Sequence, residues 1–119
     1  MEYGVIGPRD FKGEIYENID YISEVLSQYE DMELLVSGGS KGVETLASAW
    51  SDTNEVEFHL IPPNINFHGF KKAFVVRNTE IVSRVSRMIV FWDGITPGVV
   101  DTLGQCMLLS KPVDLIPMK

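Results

Sequence analysis

Residues 36–47 read VSGGSKGVETLA, and this stretch joins an apolar run to a helical pattern through a pair of glycines. The apolar run stops at Ser37, and the periodic positions Val43, Leu46 and Ala47 begin six residues later. A strand that turns at once into a helix is the repeating unit of open α/β sheets. The stretch is consistent with two roles, an anion site built from backbone amides or a tight connection without a ligand.

The same alternation of strand and helix continues on both sides of this stretch. The sequence therefore predicts an α/β protein with one Rossmann-like open, mostly parallel sheet of about five strands and with helices on both faces. We expect one domain over residues 1–119, with the hydrophobic run RMIVFW as the central strand. The predicted strands are residues 3–7, 33–37, 56–61, 87–92 and 111–117, and the predicted helices are residues 11–29, 43–50, 71–85 and 99–109.

Composition and charge exclude several classes of protein. The chain has a net charge of −7, and no apolar run approaches the ~20 residues that cross a bilayer. Lys and Arg total 10 against 17 acids, which makes nucleic acid an unlikely partner because binding it requires neutralised phosphates. Glu2 stands where a signal peptide carries positive charge, and the single cysteine, Cys106, excludes an internal disulfide. We expect a cytoplasmic protein with no membrane partner.

Four loops are expected to meet at one edge of the sheet. Because crossovers between parallel strands are right-handed, every strand-to-helix loop lies at the carboxyl ends of the strands. Ligands of such folds bind at that edge, near the point where strand order reverses. The four loops are GPRDF (residues 7–11), SGGSKG (37–42), PPNINFHGF (62–70) and DGITPG (93–98).

The loop SGGSKG, called the glycine loop from here on, has the residues of an anion site. Its three glycines allow positive φ and close approach of the backbone to a ligand. Ser40 is expected to cap the following helix, so that free amides and the positive end of the helix dipole face the loop. Lys41 adds a positive charge. The spacing matches neither G-x-G-x-x-G nor G-x-x-x-x-G-K-[ST], and a bare glycine turn remains the alternative.

Polar residues in the first and fourth loops suit the same ligand. Arg9 can form a bidentate bond to phosphate or carboxylate, with an ion pair to Asp10 as the alternative. Asp93 or Thr96 can bond to sugar hydroxyls, and Gly98 permits close approach. Two such loops at one edge favour a ligand site over two bare turns.

Other polar residues carry weaker signals. Arg77 and Asn78, on the third predicted helix, either face the same cleft or form a solvated surface. His59 and His68 are expected to be ordinary strand and loop histidines, and Cys106 is expected to pack inside. Two histidines and one cysteine without ligand spacing predict no metal site, and the sequence indicates no cofactor.

Taken in order, the segments GVIGPRDF, VSGGSKGVETLASAW, VEFHLIPPN, FKKAFVVRNTEIV, MIVFWDGITPGVVDTL and KPVDLIP resemble the YspA-like branch (DUF2493) of the SLOG superfamily. Its members are Rossmann-like domains related to the lonely-guy nucleotide hydrolases and to DprA proteins. The resemblance covers nearly the whole chain and implies a nucleotide or nucleotide-derived ligand across the first, second and fourth loops. With the residues above, it gives the candidate ligand-binding set Gly7, Arg9, Asp10, Ser37, Gly38, Gly39, Ser40, Lys41, Gly42, Glu44, Arg77, Asn78, Asp93, Gly94, Thr96 and Gly98.

The sequence departs from the family pattern at several positions. Pro8 replaces a usual serine and Val99 a usual threonine, which removes two hydroxyls near the implied ligand. The hydrolase relatives carry P-G-G-x-G-T-x-x-E, whose glutamate falls on Thr102 here, with Asp101 one residue early. Glu44 is the other available carboxylate, and its simplest role is to compensate the dipole of its helix. The resemblance therefore favours binding over catalysis and leaves the catalytic residues unknown.

Three functions follow as hypotheses. The first is a small-molecule binding module, either a sensor or a protein that sequesters a signalling nucleotide, as a phage anti-defence protein does. The second is hydrolysis of the N-glycosidic bond of a nucleotide through Glu44 or Asp101. The third is single-stranded DNA binding with Trp92 and Phe67 stacking on bases, which the acidic balance disfavours. The resemblance also implies that the chain forms homo-oligomers, dimers or larger.

Overall fold

The structure, a computed structural model, describes residues 1–10 and 15–118 of the chain. Strands and helices alternate as the sequence predicts, with one additional short helix. The strands are β1 (Glu2–Ile6), β2 (Leu34–Ser37), β3 (Glu57–Leu60), β4 (Arg87–Trp92) and β5 (Val113–Pro117). The helices are α1 (Ile15–Leu26), α2 (Val43–Thr53), α3 (Ile65–His68), α4 (Phe70–Arg84) and α5 (Pro97–Leu108).

The five strands form one sheet in the order β3-β2-β1-β4-β5, and all four strand pairs are parallel. The predicted α/β fold is confirmed, although the sheet is wholly rather than mostly parallel. The prediction that RMIVFW is the central strand is wrong, because β1 holds the centre and β4 lies between β1 and β5. An inner strand beside the centre is buried on both faces too, so hydrophobicity does not separate the two positions.

Side chains of alternate residues pack into two cores, one on each face of the sheet. Tyr3 and Val5 of β1 face α1 and α2, where they join Leu26 and Trp50. Ile6, at the end of β1, belongs to the opposite core with residues of α4 and α5. Cys106 of α5 is buried in this second core, as predicted, and burial raises the pKa of its thiol.

Helix α1 differs from its predicted inner stripe. Ile22 and Leu26 are buried as expected, whereas Ile19 is 36% exposed and Val25 takes the inner position instead. The helix ends at Leu26, short of the predicted end at residue 29. The predicted start at Phe11 and the predicted inward side chain of Ile15 lie outside what the structure describes.

The segment between β3 and α4 contains a helical turn that the sequence reading treated as a loop. Asn64 caps α3, and its side-chain oxygen accepts a hydrogen bond from the Phe67 amide at 3.3 Å. Gly69, with φ of 80°, ends α3 and lets α4 begin at the next residue. Within residues 1–10 and 15–118, every helix is too short or too polar to span a lipid bilayer.

Candidate functional site

The strand order reverses between β1 and β4, and this position organises the carboxyl edge of the sheet. Strands β2 and β3 lie on one side of β1, whereas β4 and β5 lie on its other side. The connections leaving β1 and β4 therefore diverge and leave a crevice above their carboxyl ends, which is where such sheets bind ligands. The loop after β1 (residues 7–10) and the loop after β4 (residues 93–98, called the β4 loop) flank this crevice.

The loop after β1 packs against the start of α2 and exposes two charges. A Cβ on Gly7 would lie 2.6 Å from Val43, and the Val43 amide donates to the Pro8 carbonyl at 3.2 Å. Arg9 and Asp10 are exposed and do not pair with each other. Among the described residues Arg9 has no hydrogen-bond partner, so its guanidinium is free to meet an anion. Phe11, the last residue of the predicted loop, lies outside the described residues.

In the glycine loop, the buried carboxylate of Glu44 takes the place that a ligand anion was expected to fill. Its Oε1 accepts hydrogen bonds from the Ser37 hydroxyl at 2.6 Å and the Gly38 amide at 2.9 Å, with a long contact of 3.5 Å from the Ser40 amide. The Gly39 amide donates to the Ser37 hydroxyl at 3.3 Å. Glu44 is only 3% exposed. It therefore does more than compensate the dipole of α2, because it organises the loop before that helix.

The prediction that Ser40 caps α2 is wrong. The helix begins at Val43, its N-cap residue is Gly42 with φ of 85°, and no side chain caps it. The positive φ at Gly42 turns the chain into the helix two residues later than expected, so Ser40 lies outside capping range. Its carbonyl accepts a bond from the Thr45 hydroxyl at 3.3 Å instead. Among the described residues, the Lys41 and Gly42 amides have no partner, and the Lys41 side chain is exposed.

Arg77 and Asn78 are buried, at 6% and 5% exposure, so they are not a solvated helix face. Arg77 Nη1 donates to the Gly38 carbonyl at 3.0 Å, and its Nε donates to the Asn78 side chain at 2.9 Å. Asn78 in turn donates to Asp101 at 3.0 Å. Burial lowers the pKa of Arg77, and the nearby Glu44 carboxylate partly opposes that shift. Arg77 thus fastens the glycine loop to α4, and Asn78 continues the network to α5.

A cavity of about 10 Å³ lies inside this network, among Glu44, Arg77, Asn78, Thr102 and neighbouring apolar side chains. That volume is enough for about one water molecule with polar partners. Thr102, where the hydrolase relatives have their glutamate, is buried and donates its hydroxyl to the Gly98 carbonyl at 3.2 Å. The position offers a hydroxyl that is already bonded rather than a carboxylate.

The β4 loop is closed by its own aspartate. Asp93 accepts bonds from the Ile95 amide at 3.0 Å, the Thr96 amide at 2.9 Å and the Thr96 hydroxyl at 2.7 Å. These bonds, the Thr96 hydroxyl first among them, lower the pKa of Asp93 to about 2. The hydroxyl proton of Thr96 is therefore already donated to Asp93, and both residues shape the loop.

The glycines of the β4 loop face open space. Gly94 has φ of 88°, which explains why glycine stands there, and a Cβ on it would meet no atom within 4 Å. Gly98, in the first turn of α5, has an ordinary φ, and a Cβ on it would also meet nothing. Within the described residues, neither φ nor packing accounts for glycine at position 98. The room beside it is open to a ligand.

The described residues also form a groove outside this crevice. It has a volume of about 700 Å³ and runs between α2 and the edge strand β3, with Asp52 and Glu44 among its lining residues. No basic residue lines it, so it does not suit an anionic ligand. Arg9 and Lys41, by contrast, are exposed in loops at the carboxyl edge of the sheet, the edge from which the β4 loop also leaves.

Phe74 was not among the candidate site residues, and Asp101 and Thr102 were considered only as positions near the glutamate of the hydrolase relatives. Phe74 lies under the Arg77 guanidinium, with 5.2 Å between the ring centroid and Cζ. No local pattern signals these residues, because each acts through a partner at least three positions away in the sequence. The pairing of Ser37 with Glu44, seven residues apart, also matches no familiar capping signature.

The fold and the glycine-lined edge define a Rossmann-like domain. The family described as "YspA, cpYpsA-related SLOG family" matches residues 5–68, more than half of the chain. The chain belongs to this SLOG family, as its motifs indicated. The comparison with curated proteins finds no match.

Solved structures of other proteins superpose on nearly all of the chain. DprA from Streptococcus pneumoniae has a TM-score of 0.80 at 19% identity, covering 99% of this chain and 50% of that protein. The protein TM1055 has a TM-score of 0.71 at 19% identity, covering 94% of this chain and 71% of its own. DprA from Helicobacter pylori, whose structure is described by its single-stranded DNA binding mode, has a TM-score of 0.66 at 16% identity. The match covers 100% of this chain and 66% of that protein. At sequence identities of 16–19%, this similarity shows the fold alone. The chain spans about half the length of the pneumococcal protein.

Proposed function

We propose that the chain, as one module spanning residues 1–119, binds a nucleotide or nucleotide-derived small molecule in the crevice between β1 and β4. The observation that carries this proposal is Gly98, because neither its backbone conformation nor its packing against residues 1–10 and 15–118 explains the missing side chain. Its open space lies at the switch point of a SLOG-family sheet, where such folds bind ligands. A ligand that approaches the backbone closely would account for it.

The charges of the proposed ligand meet Arg9 and Lys41. Both side chains are exposed, and neither has an ion-pair partner among the described residues. The unpaired amides of Lys41 and Gly42 lie at the start of α2, so they add donors beside these two cations. Arg77 supports the same site indirectly, because it holds the glycine loop in position. A phosphate or carboxylate group of the ligand is the natural partner for this set.

Holding the ligand agrees better with the side chains than cleaving it. Glu44 is buried and engaged with the glycine loop, and Asp101 accepts a bond from Asn78. A general acid or base needs a carboxylate within reach of the sugar or of an attacking water. We therefore favour a sensor or a sequestering protein, the role that phage anti-defence proteins can fill, over a nucleotide N-glycosidase.

Titration calorimetry with mononucleotides, ADP-ribose species and cyclic nucleotides tests this proposal. We expect one of these classes to bind, and we expect Gly98→Val to abolish binding without loss of thermal stability, since its Cβ meets no protein atom. The matched control is Gly104→Ala in the same helix, which should bind normally. Gly69→Ala would not serve, because Gly69 has a φ of 80° that alanine adopts poorly. Absence of binding across the panel, or normal binding by Gly98→Val, would refute the site.

Chromatography of the bound nucleotide after long incubation separates holding from hydrolysis. We expect intact ligand at high protein concentration. Release of the free base would overturn the binding-only role and would leave the location of the site standing.

A second candidate function, single-stranded DNA binding, is favoured by how the charges are distributed. Residues 13–57 contain eleven acids and one base, whereas residues 58–92 contain five bases and one acid. On α3 and α4, Phe67 and Phe70 are 78% and 69% exposed, next to the exposed Lys71 and Lys72. Aromatic side chains beside lysines are the usual composition of single-strand binding surfaces. Lys71 and Lys72 therefore give this surface a local positive charge in spite of the net charge of −7.

Fluorescence anisotropy with a labelled oligonucleotide at several salt concentrations tests this second function. If the surface binds DNA, affinity falls as salt rises, and Lys71→Glu with Lys72→Glu abolishes binding. The control is Lys41→Glu, which changes an exposed cation in the glycine loop. No binding at low salt would eliminate this candidate.

A further inference from the structure

A recess lies at the carboxyl ends of β4 and β5, on the opposite side of β4 from β1. Its volume is about 290 Å³, at the lower end of the range for ligand sites, so it suits one ring system rather than a whole nucleotide. The ends of both strands and the start of the β4 loop line it, with the residues Trp92, Asp93, Gly94, Leu115, Pro117 and Met118. These residues meet because Trp92 pairs with Pro117 where the two parallel strands end.

Trp92 brings a hydrogen-bond donor to the recess that has no acceptor. Its Nε1 is buried, and residues 1–10 and 15–118 provide no hydrogen-bond partner for it. Among the described side chains that are not exposed, it is the one buried nitrogen or oxygen atom in this condition. An indole N–H only donates, so the missing partner is an acceptor. A buried donor without an acceptor destabilises the folded chain, and a ligand that supplies the acceptor would remove this penalty.

The other tryptophan shows that the unpaired donor is a property of this place. Trp50 Nε1 donates to the Ser27 hydroxyl at 3.3 Å, and Trp50 belongs to the core on the face of α1 and α2. Trp92 is half-buried and packs against the core on the other face. The two indoles therefore report on opposite faces of the sheet.

Asp93 adds an acceptor to the lining of the recess. The Thr96 hydroxyl, followed by the Ile95 and Thr96 amides, holds the pKa of Asp93 at about 2, so its carboxylate is ionised at neutral pH. These groups donate three hydrogen bonds, whereas a carboxylate has about four acceptor positions. A negative charge beside the recess disfavours a phosphate there and favours a group with N–H donors.

The remaining lining of the recess is apolar. Leu115 is 49% exposed, and Pro117 is exposed beside it on the edge strand β5. The recess thus combines apolar walls with one unpaired donor and one anionic acceptor. A nucleobase has the matching properties, because it is a flat ring whose edge carries acceptor atoms next to N–H donors.

We propose that this recess binds the base of the nucleotide-derived ligand, with the Trp92 indole donating to an acceptor on the edge of the base and Asp93 accepting from one of its N–H groups. This inference rests on the proposed function, in which Arg9 and Lys41 meet the charged groups of the ligand. The β4 loop connects the two positions, because it flanks the crevice and also supplies Asp93 and Gly94 to the recess. The charges agree with this division, since the exposed cations lie in the first two loops and the anion lies beside the recess.

NMR of the two indole N–H groups in the full chain tests the contact directly. Spectra are recorded with each nucleotide of the panel named above and with ribose 5-phosphate, which has no base. We expect the Trp92 signal to move downfield with at least one nucleotide, because its N–H gains an acceptor, and to stay in place with ribose 5-phosphate. The Trp50 signal is the internal control and should not move, and the variant Trp50→Phe identifies which signal is which.

Calorimetry measures the contribution of the base. In the parent chain we expect the Kd of the bound nucleotide to be about tenfold or more below that of ribose 5-phosphate, because both hydrogen bonds to the base are missing from the latter. Trp92→Phe keeps a flat ring and removes the donor, so it should raise the Kd of the nucleotide about three- to tenfold and leave that of ribose 5-phosphate unchanged. Trp50→Phe makes the same change on the other face and should alter neither value.

The outcomes separate this inference from the proposed function. If a nucleotide binds while the Trp92 signal stays in place, or if ribose 5-phosphate binds as tightly as the nucleotide, the recess is not the site of the base and the crevice still stands. Equal weakening of nucleotide binding by Trp92→Phe and Trp50→Phe would also overturn the inference. Absence of binding by every compound would overturn the inference together with the proposed function.

Discussion

The glycine loop and the β4 loop look alike in sequence and differ in the structure. Each follows a buried strand, contains glycines and leads into a helix. In the glycine loop, a Cβ on Gly38 would lie 2.0 Å from Arg77, and one on Gly39 would lie 2.4 Å from Leu60. In the β4 loop, a Cβ on Gly94 or Gly98 would meet no atom of the described part of the chain within 4 Å. The first loop is built into the protein, and the second is open.

This difference teaches what a glycine-rich loop does and does not indicate. Glycine in the glycine loop makes room for the protein's own side chains, and its inner amides are bonded to Glu44 and Ser37. Glycine at position 98 makes room for nothing in the described structure. What a Cβ would touch, rather than the number of glycines, distinguishes a structural loop from a candidate ligand site.

The comparison is tested most strongly at Glu44. Glu44→Ala leaves the Ser37 hydroxyl and the Gly38 amide buried without an acceptor, and it removes the negative charge near buried Arg77. We expect the free energy of unfolding to fall by about 3–5 kcal/mol, measured by urea denaturation.

Two further variants calibrate that measurement. Glu44→Gln keeps one acceptor oxygen and should cost less than Glu44→Ala. Glu17→Ala, on the exposed face of α1, should stay within about 0.5 kcal/mol of the parent. If Glu44→Ala were as stable as Glu17→Ala, the glycine loop would not depend on its internal carboxylate.

Alanine in place of one glycine in each loop compares the two directly. Gly38→Ala forces its methyl group against Arg77 and should reduce the free energy of unfolding by about 1–3 kcal/mol. Gly98→Ala meets no atom and favours the helical conformation, so it should leave stability unchanged or raise it by up to about 1 kcal/mol. Thermal and urea unfolding measure both variants. If the two substitutions reduced the free energy of unfolding equally, the two loops would not differ in the way proposed.

The smallest expected effect concerns the pH dependence of the β4 loop. The folded state holds the pKa of Asp93 at about 2, below its ordinary 3.8, so its contribution to stability is full above pH 3.8 and is lost as the pH falls toward 2. Thr96→Val removes the largest cause of the shift and should move the midpoint of the Asp93 titration, followed by NMR, toward 3.8. Thr53→Val, whose hydroxyl bonds only to the Ala49 carbonyl, should leave that midpoint in place. A titration of Asp93 that Thr96→Val does not change would show that the β4 loop is held in another way.

Much of the fold was predictable from the sequence, because it depends on local patterns. Strand β4 has the predicted bounds of residues 87–92, because an uninterrupted apolar run is typical of a strand buried on both faces of a parallel sheet. The central position of β1 was not predictable, because strand order depends on which strands pair across long distances in the sequence. Helix α3 was missed because four residues are too few to show a helical period.

The candidate site was only partly predictable, for a related reason. Glycines, Arg9 and Lys41 carry recognisable chemistry, and their positions after strands followed from the alternation of elements. The bonds from Glu44 to Ser37 and from Arg77 to Gly38 connect different elements, so no local pattern reveals them. The sequence indicated that amides of the glycine loop would face an anion, but it did not show that the anion belongs to the protein.

The pairing of β1 with β4 has a consequence for how the molecule folds. Tyr3 lies opposite Arg87, so the middle of the sheet joins residues that are far apart in the chain. Closing such a long loop is slow compared with forming local structure. The first half of the chain can assemble β1, β2 and β3 while one edge of β1 still lacks its partner. The crevice between β1 and β4 needs both halves of the chain, so we expect the proposed binding to appear only after the second half has docked.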